Sequence, residues 1–107
     1  MQVKWSDPAL DDIEAIKTYI SKDSPHYARA FIERIFTAVD RLLNFPLSGR
    51  VVPEAEDQEV REIIVQSYRV MYRIEANSLD QDYVLMLAVM HGSRDLKNPY
   101  NQPWETH

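Results

Sequence analysis

Tyr68-Arg69-Val70-Met71-Tyr72-Arg73-Ile74 decides how the rest of this chain is read. Tyr68, Val70, Tyr72 and Ile74 alternate with Arg69, Met71 and Arg73, which is the period of two that a β-strand imposes. One face of that strand is apolar and aromatic. The other carries two guanidiniums. Downstream, Tyr83 to Met90 is apolar on both faces, as expected for a strand inside a sheet, and it ends in His91-Gly92-Ser93-Arg94-Asp95. Upstream, Glu59 to Gln66 reads as a third strand, joined to Tyr68–Glu75 by a tight Gln66-Ser67 connection. Ala76 to Asp82 is a polar loop.

Working outward, the N-terminal half reads as scaffold. Val3 and Trp5 share one face of a brief strand. Ser6-Asp7-Pro8 is a helix start, with a capping side chain and a proline in the first turn. Asp11, Asp12 and Glu14 suit the helix dipole there. Leu10, Ile13, Ile16, Tyr19 and Ile20 recur at helical spacing, which predicts a helix over Pro8–Ser21. Ser24-Pro25 repeats the start signal. Ala28, Phe31, Ile32, Ile35, Phe36, Val39, Leu42 and Leu43 then form a broad stripe, so the two helices make a hairpin. Phe45-Pro46 ends the second helix. Leu47-Ser48-Gly49-Arg50 is a turn, with Gly49 expected at positive φ. Val51-Val52-Pro53 is a short extended piece and Glu54 to Gln58 an acidic loop.

The resulting order is β-α-α-β-β-β. It predicts an α+β domain over residues 1–96, with the helical hairpin packed on one face of a mostly antiparallel twisted sheet and the first strand joining an edge. The opposite face is expected to stay open, with Arg69 and Arg73 pointing into it. Residues 97–107 read as an extended tail, pinned by Trp104 or free to meet a partner.

Composition narrows the function classes. The chain has 107 residues, enough for one domain with a small core. It has no cysteine, so disulfides and thiolate zinc sites are excluded. Met1-Gln2-Val3-Lys4-Trp5 does not resemble a signal peptide and no apolar run suits a membrane span, so a cytoplasmic location is expected. The net charge is −5. Residues 1–50 balance seven basic against seven acidic side chains, whereas residues 51–107 carry five against ten. Long-range attraction to nucleic acid is therefore not expected from charge. Two glycines leave no phosphate-binding glycine loop. No His/Asp/Glu spacing suggests a metal site, so neither metal nor cofactor is expected.

Several short motifs fall in one order: Ala9-x-x-Asp12-Ile13-x-x-Ile16-x-x-Tyr19-Ile20, Phe45-Pro46-x-x-Gly49-Arg50, Val60-Arg61-Glu62, Tyr68-Arg69-Val70-x-Tyr72 and His91-x-x-Arg94-Asp95. Together they cover residues 2 to about 96, and in this the chain resembles toxins of the RelE/ParE superfamily, the poison half of bacterial type II toxin–antitoxin modules (plasmid stabilisation proteins). The resemblance implies the RelE/ParE toxin fold, growth arrest as the activity, and a cognate antitoxin whose C-terminal segment wraps the toxin. A homodimer, or a heterotetramer with antitoxin, is compatible with it. Some members of the superfamily poison DNA gyrase without known catalysis. Others cut mRNA in the ribosomal A site.

Candidate site residues follow from both lines of reasoning. Arg61, Arg69 and Arg73 read either as phosphate binders, through their planar paired donors, or as partners of Glu59, Glu62 and Glu75. The resemblance favours the functional reading for Arg61 and Arg69. Histidine as a residue type titrates near neutrality, so one at the end of this strand, His91, suits an acid or base; equally, its ring could fix the turn. Arg94 would add a cation to the group, and Asp95 reads as its turn-shaping partner. Arg50 is either a binding cation or a bridge to the acidic loop. An endoribonuclease would use Arg61, Arg69, His91 and Arg94 together, with Arg50 and Arg73 binding nearby. Against it stands the acidity of the chain, since RNA binding is driven by cations. The first reading is therefore a gyrase-poisoning toxin, the second a ribosome-dependent nuclease, and the third an inactive homologue that only binds antitoxin.

Overall fold

In the computed structural model, which describes residues 1–105, a serine opens each helix. The Ser6 hydroxyl accepts the Ala9 amide ahead of α1 (Asp7–Ser21), and the Ser24 hydroxyl accepts the Tyr27 amide ahead of α2 (Pro25–Asp40). A proline sits in the first turn of both, where its missing N–H costs nothing. A 3-10 turn, Arg41–Leu43, carries α2 on to the stop at Phe45-Pro46.

The strands are β1 (Gln2–Trp5), β2 (Arg50–Val51), β3 (Val60–Val65), β4 (Tyr68–Ala76) and β5 (Asp82–His91). They form one sheet in the order β1-β5-β4-β3-β2. β1 runs parallel to β5 and every other pairing is antiparallel. The fold is α+β, with the helical hairpin on one face of a mixed five-stranded sheet. The main core lies between them: Ile13, Ile16, Phe31, Ile35 and Val39 meet Val70, Tyr72, Val84, Met86 and Val89. Val3 and Trp5 join its rim, and Trp5 meets Phe36 edge-on at 5.1 Å.

The reverse face is not open, which corrects the expectation from sequence. Val52, Val60, Met71, Leu87, Met90 and Leu96 are buried there in a second, smaller core, against which Ala55 and Trp104 pack. The segment after β2 and the chain beyond β5 fold back over the sheet. The tail is accordingly not simply extended: it makes a 3-10 turn at Pro99–Asn101. Leu96 and Trp104 hold it down, and Gln102 Nε2 donates to the Leu96 carbonyl at 2.7 Å. Thr106 and His107 lie outside the described residues.

A β-bulge sets which side chains share a face. Met71 is opposite Ala88, but Tyr72 is opposite Met86, so β5 has one residue more than β4 at this point. Leu87 and Ala88 both fall on the reverse face, and the parity of β5 inverts beyond them. Val84 and Met86 face the helices; so do Val89 and His91, the latter opposite Tyr68. Beyond Trp5, β1 no longer covers β5. Asp12 of α1 takes over: its Oδ2 accepts the Val89 amide at 3.0 Å. Burial raises the Asp12 pKa, against the lowering influence of that amide and of Arg94.

Gly49 is required by close approach rather than by positive φ, since no glycine has positive φ. Its amide donates to Tyr72 Oη at 3.0 Å, and that hydroxyl donates to the Pro46 carbonyl at 2.7 Å. A Cβ on Gly49 would lie 2.5 Å from Tyr72 Oη and 2.7 Å from the Glu62 carbonyl oxygen. Gly49→Ala is therefore expected to cost about 2–3 kcal/mol through overpacking. Tyr72→Phe, which strands a buried amide and a carbonyl, should cost about 1–3 kcal/mol. Urea unfolding of the two variants checks both.

Candidate functional site

Arg69 sits on the reverse face of β4, with its side chain only 9% exposed. A buried guanidinium needs counter-charges, and the neighbouring elements bring two. Glu62 of β3 has a fully buried side chain and accepts Arg69 Nε at 2.6 Å and Nη2 at 3.1 Å. Glu54, from the turn Pro53–Ala55, takes the far end of the fork with both oxygens, at 2.8 and 2.9 Å. Glu62 also accepts Arg50 Nε at 2.7 Å, while the rest of the Arg50 side chain stays in solvent. Two arginines and two glutamates thus form one neutral chain that fastens the β2–β3 connection onto the sheet. Hydrogen bonds from Arg69 hold the Glu54 carboxyl down at about 2, well below the usual carboxylate range. The same bonds raise the Arg69 pKa.

The other predicted residues lie elsewhere. Arg61 is on the helix face, where its Nη1 donates to the Gly49 carbonyl at 2.9 Å. Arg73 is on the reverse face between Asp57 and Glu75, each 3.7 Å away. His91 is on the helix face, edge-on to Tyr68 at 5.5 Å. Its Nδ1 accepts the Ser93 amide at 3.1 Å and lies 2.8 Å from the Ser93 hydroxyl. An amide can only donate, so the neutral ring carries its hydrogen on Nε2. Arg94 follows β5 and donates to Asn101 Oδ1 at 3.3 Å. The expected gathering of Arg61, Arg69, His91 and Arg94 on one uncovered face therefore does not occur. Arg61 and Arg69 point to opposite sides of the sheet. Arg61 is opposite Tyr72 and His91 opposite Tyr68, about 13 Å apart along β4 at ~3.3 Å per residue. Among the described residues, no group of His, Asp and Glu is arranged to hold a metal ion.

A groove that sequence reasoning did not single out runs between α2 and β3. Because β2 covers β3 only at Arg61 and Glu62, the outer edge of Ile63, Ile64 and Val65 has no strand partner among the described residues. Two adjoining hollows of about 530 and 510 Å³ follow this edge, lined by Arg34, Arg41, Arg50, Ala38 and Ile64. Ile64 is 53% exposed. The signal in the sequence was the unbroken Ile63-Ile64-Val65 run, too apolar for a strand with one face in water.

Comparison with known proteins places the fold. Residues 3–96 match the family model described as the ParE toxin of the type II toxin–antitoxin system parDE. The chain belongs to the ParE toxin family. It is the toxin half of a two-protein module whose other half is a cognate antitoxin. Relatives include Y4kP of Sinorhizobium fredii, 35% identical over 92 residues that span 84% of this chain and 86% of that protein. Toxin RelE2 of Caulobacter vibrioides is 32% identical over 93 residues, spanning 87% of this chain and 97% of the relative. A chain of the chromosomal ParDE system from P. aeruginosa shares the fold with a TM-score of 0.67 at 21% identity, covering 85% of this chain and 95% of that one.

In this ParE-family chain the Glu54 latch is sensitive to acid in one direction. Its folded pKa is depressed, so its contribution is fully present above the ordinary value of 4.5 and is lost as pH falls toward about 2. Urea midpoints should therefore fall between pH 5 and about pH 2.5 more steeply in the parent than in Glu54→Gln. Equal slopes would mean that Glu54 does not hold Arg69 in solution.

Proposed function

We propose that this toxin arrests bacterial growth by binding and poisoning DNA gyrase in the cytoplasm, without catalysis of its own. The observation that carries the reading is the commitment of Arg69. Its guanidinium is occupied by Glu54 and Glu62 and is shielded from solvent. RNA cleavage through a 2′-hydroxyl needs a base, an acid and cations around one phosphate. The four candidates for those roles are dispersed, and Arg61 is spent on carbonyls of the turn before β2. The net charge of −5 also disfavours entry into a ribosome.

Purified toxin should inhibit supercoiling by gyrase and leave ribosome-bound mRNA intact. His91→Ala should retain growth arrest, because the exposed ring serves no proton transfer. Codon-positioned mRNA cleavage that disappears in His91→Ala would instead establish the nuclease reading. A toxin that arrests nothing when expressed without antitoxin would point to an inactive homologue.

The antitoxin has a physically suitable seat in the α2–β3 groove. The free edge of Ile63–Val65 offers backbone groups to an added strand. Arg34, Arg41 and Arg50 ring it against two acids, Glu33 and Glu62, of which Glu62 is already neutralised. An extended antitoxin segment with alternating apolar and acidic residues fits on both counts. Ile64→Asp, and Arg34→Glu combined with Arg41→Glu, should each weaken antitoxin binding by about tenfold or more. Isothermal titration checks this; unchanged affinity in both variants would place the antitoxin elsewhere.

A further inference from the structure

The turn end of the helical hairpin carries a further hollow, of about 290 Å³, apart from the Arg–Glu chain and meeting the α2–β3 groove only at Gln66. It lies where the end of α1, the start of α2, the β3–β4 turn and the end of β5 converge. Tyr19, Tyr27, Phe31, Gln66, Tyr68 and His91 line it. The rings form a chain of contacts: Tyr27 stacks on Phe31 at 6.4 Å, Phe31 meets Tyr68 at 5.3 Å and Tyr68 meets His91 at 5.5 Å. Tyr19 is 69% and Tyr27 47% exposed, a large aromatic area to leave in water. The turn below is held in an unusual geometry. Gln66 has φ 54°, and its Oε1 accepts the Tyr27 hydroxyl at 3.0 Å. That bond leaves the Gln66 amide nitrogen without a partner among the described residues, and the Nε2–H of His91 is likewise unpaired there.

We propose that this hollow docks an extended, proline-bearing segment of a partner protein. The lining decides the class. It contains no Lys, Arg, Asp or Glu, so nothing in it selects a phosphate or a charged side chain. Its volume is at the lower limit for small-molecule clefts, which suits one or two side chains rather than a cofactor. What it offers is flat aromatic surface beside spare N–H donors. A polyproline II segment presents the complement: rigid pyrrolidine rings for the aromatics, and backbone carbonyls with no internal hydrogen bonds for the donors. The segment is already extended, so little ordering entropy opposes its binding. The site is independent of the gyrase reading and adjoins the antitoxin seat only at Gln66, which lines both hollows.

The test is a titration of the ¹⁵N-labelled full chain with an acetylated, amidated Ala-Pro-Pro-Leu-Pro-Pro-Ala peptide, with the all-alanine peptide of equal length as control. Saturable amide shifts at Tyr19, Tyr27, Gln66, Tyr68 and His91 are expected with the proline peptide and not with the control. Tyr19→Ala and His91→Ala alter exposed side chains and should each weaken binding about fivefold, the scale of one lost contact. Circular dichroism of the variants must match the parent. Three results would overturn the proposal: no shifts at these residues, equal shifts with the control peptide, or stronger saturable shifts there with oligothymidylate, which would make it a nucleobase site.

Discussion

Arg69 and Glu62 are side chains of adjacent strands, one behind the other on the same face, and both are almost wholly removed from water. Each buried charge is answered first by the other, with Glu54 and Arg50 completing the chain. Their pairing governs what surrounds it. Glu54 must reach back to complete the guanidinium, so the chain between β2 and β3 must cross the sheet. Val52 and Ala55 come with it and roof Met71, Leu87 and Met90. Leu96 and Trp104 close the other side of that roof. A sheet that would have had one bare face has instead two unequal cores, with an ionic chain bordering the smaller one.

The same pairing explains why the folding pattern was easier to read than the site. Helix starts at Ser6 and Ser24, the proline stop at Pro46 and the alternation through Tyr68–Ile74 are local signals, and the structure follows them closely. Which carboxylate a given arginine meets depends on register and loop path, which are not local. Glu62 and Arg69 are seven residues apart and were both in view. Glu54, in what read as a solvated acidic loop, was not an evident partner. The bulge at Leu87-Ala88 had a similar effect. Strict alternation from Val84 puts residue 91 on the face opposite the helices; the extra residue returns His91 to the helix side, beside Tyr68 and away from Arg69. Gly49 carries the same lesson, since its role comes from Tyr72, 23 residues distant.

With its most buried cation spent on structure, the chain is left with edges and ends as places to meet other molecules. The edge of β3 is unpaired beyond Glu62 and bordered by arginines, on a protein whose net charge is −5. The turn end of the hairpin is aromatic and uncharged. These surfaces differ in chemistry and adjoin only at Gln66, so partners of different kinds suit them. A toxin held silent by an antitoxin and released to act on a target has use for surfaces that can be occupied separately.

The central claim is that Arg69 is a structural cation whose charge is answered inside the fold. A double-mutant cycle over Arg69→Met and Glu62→Met tests it most directly, with unfolding free energies from urea titration. Each single change should cost about 3 kcal/mol by leaving the remaining buried charge with its outer partner alone, Glu54 for Arg69 or Arg50 for Glu62, and the double variant should cost at least ~2 kcal/mol less than the sum. Small, additive losses would contradict the account and return Arg69 to the surface as a cation free for other work.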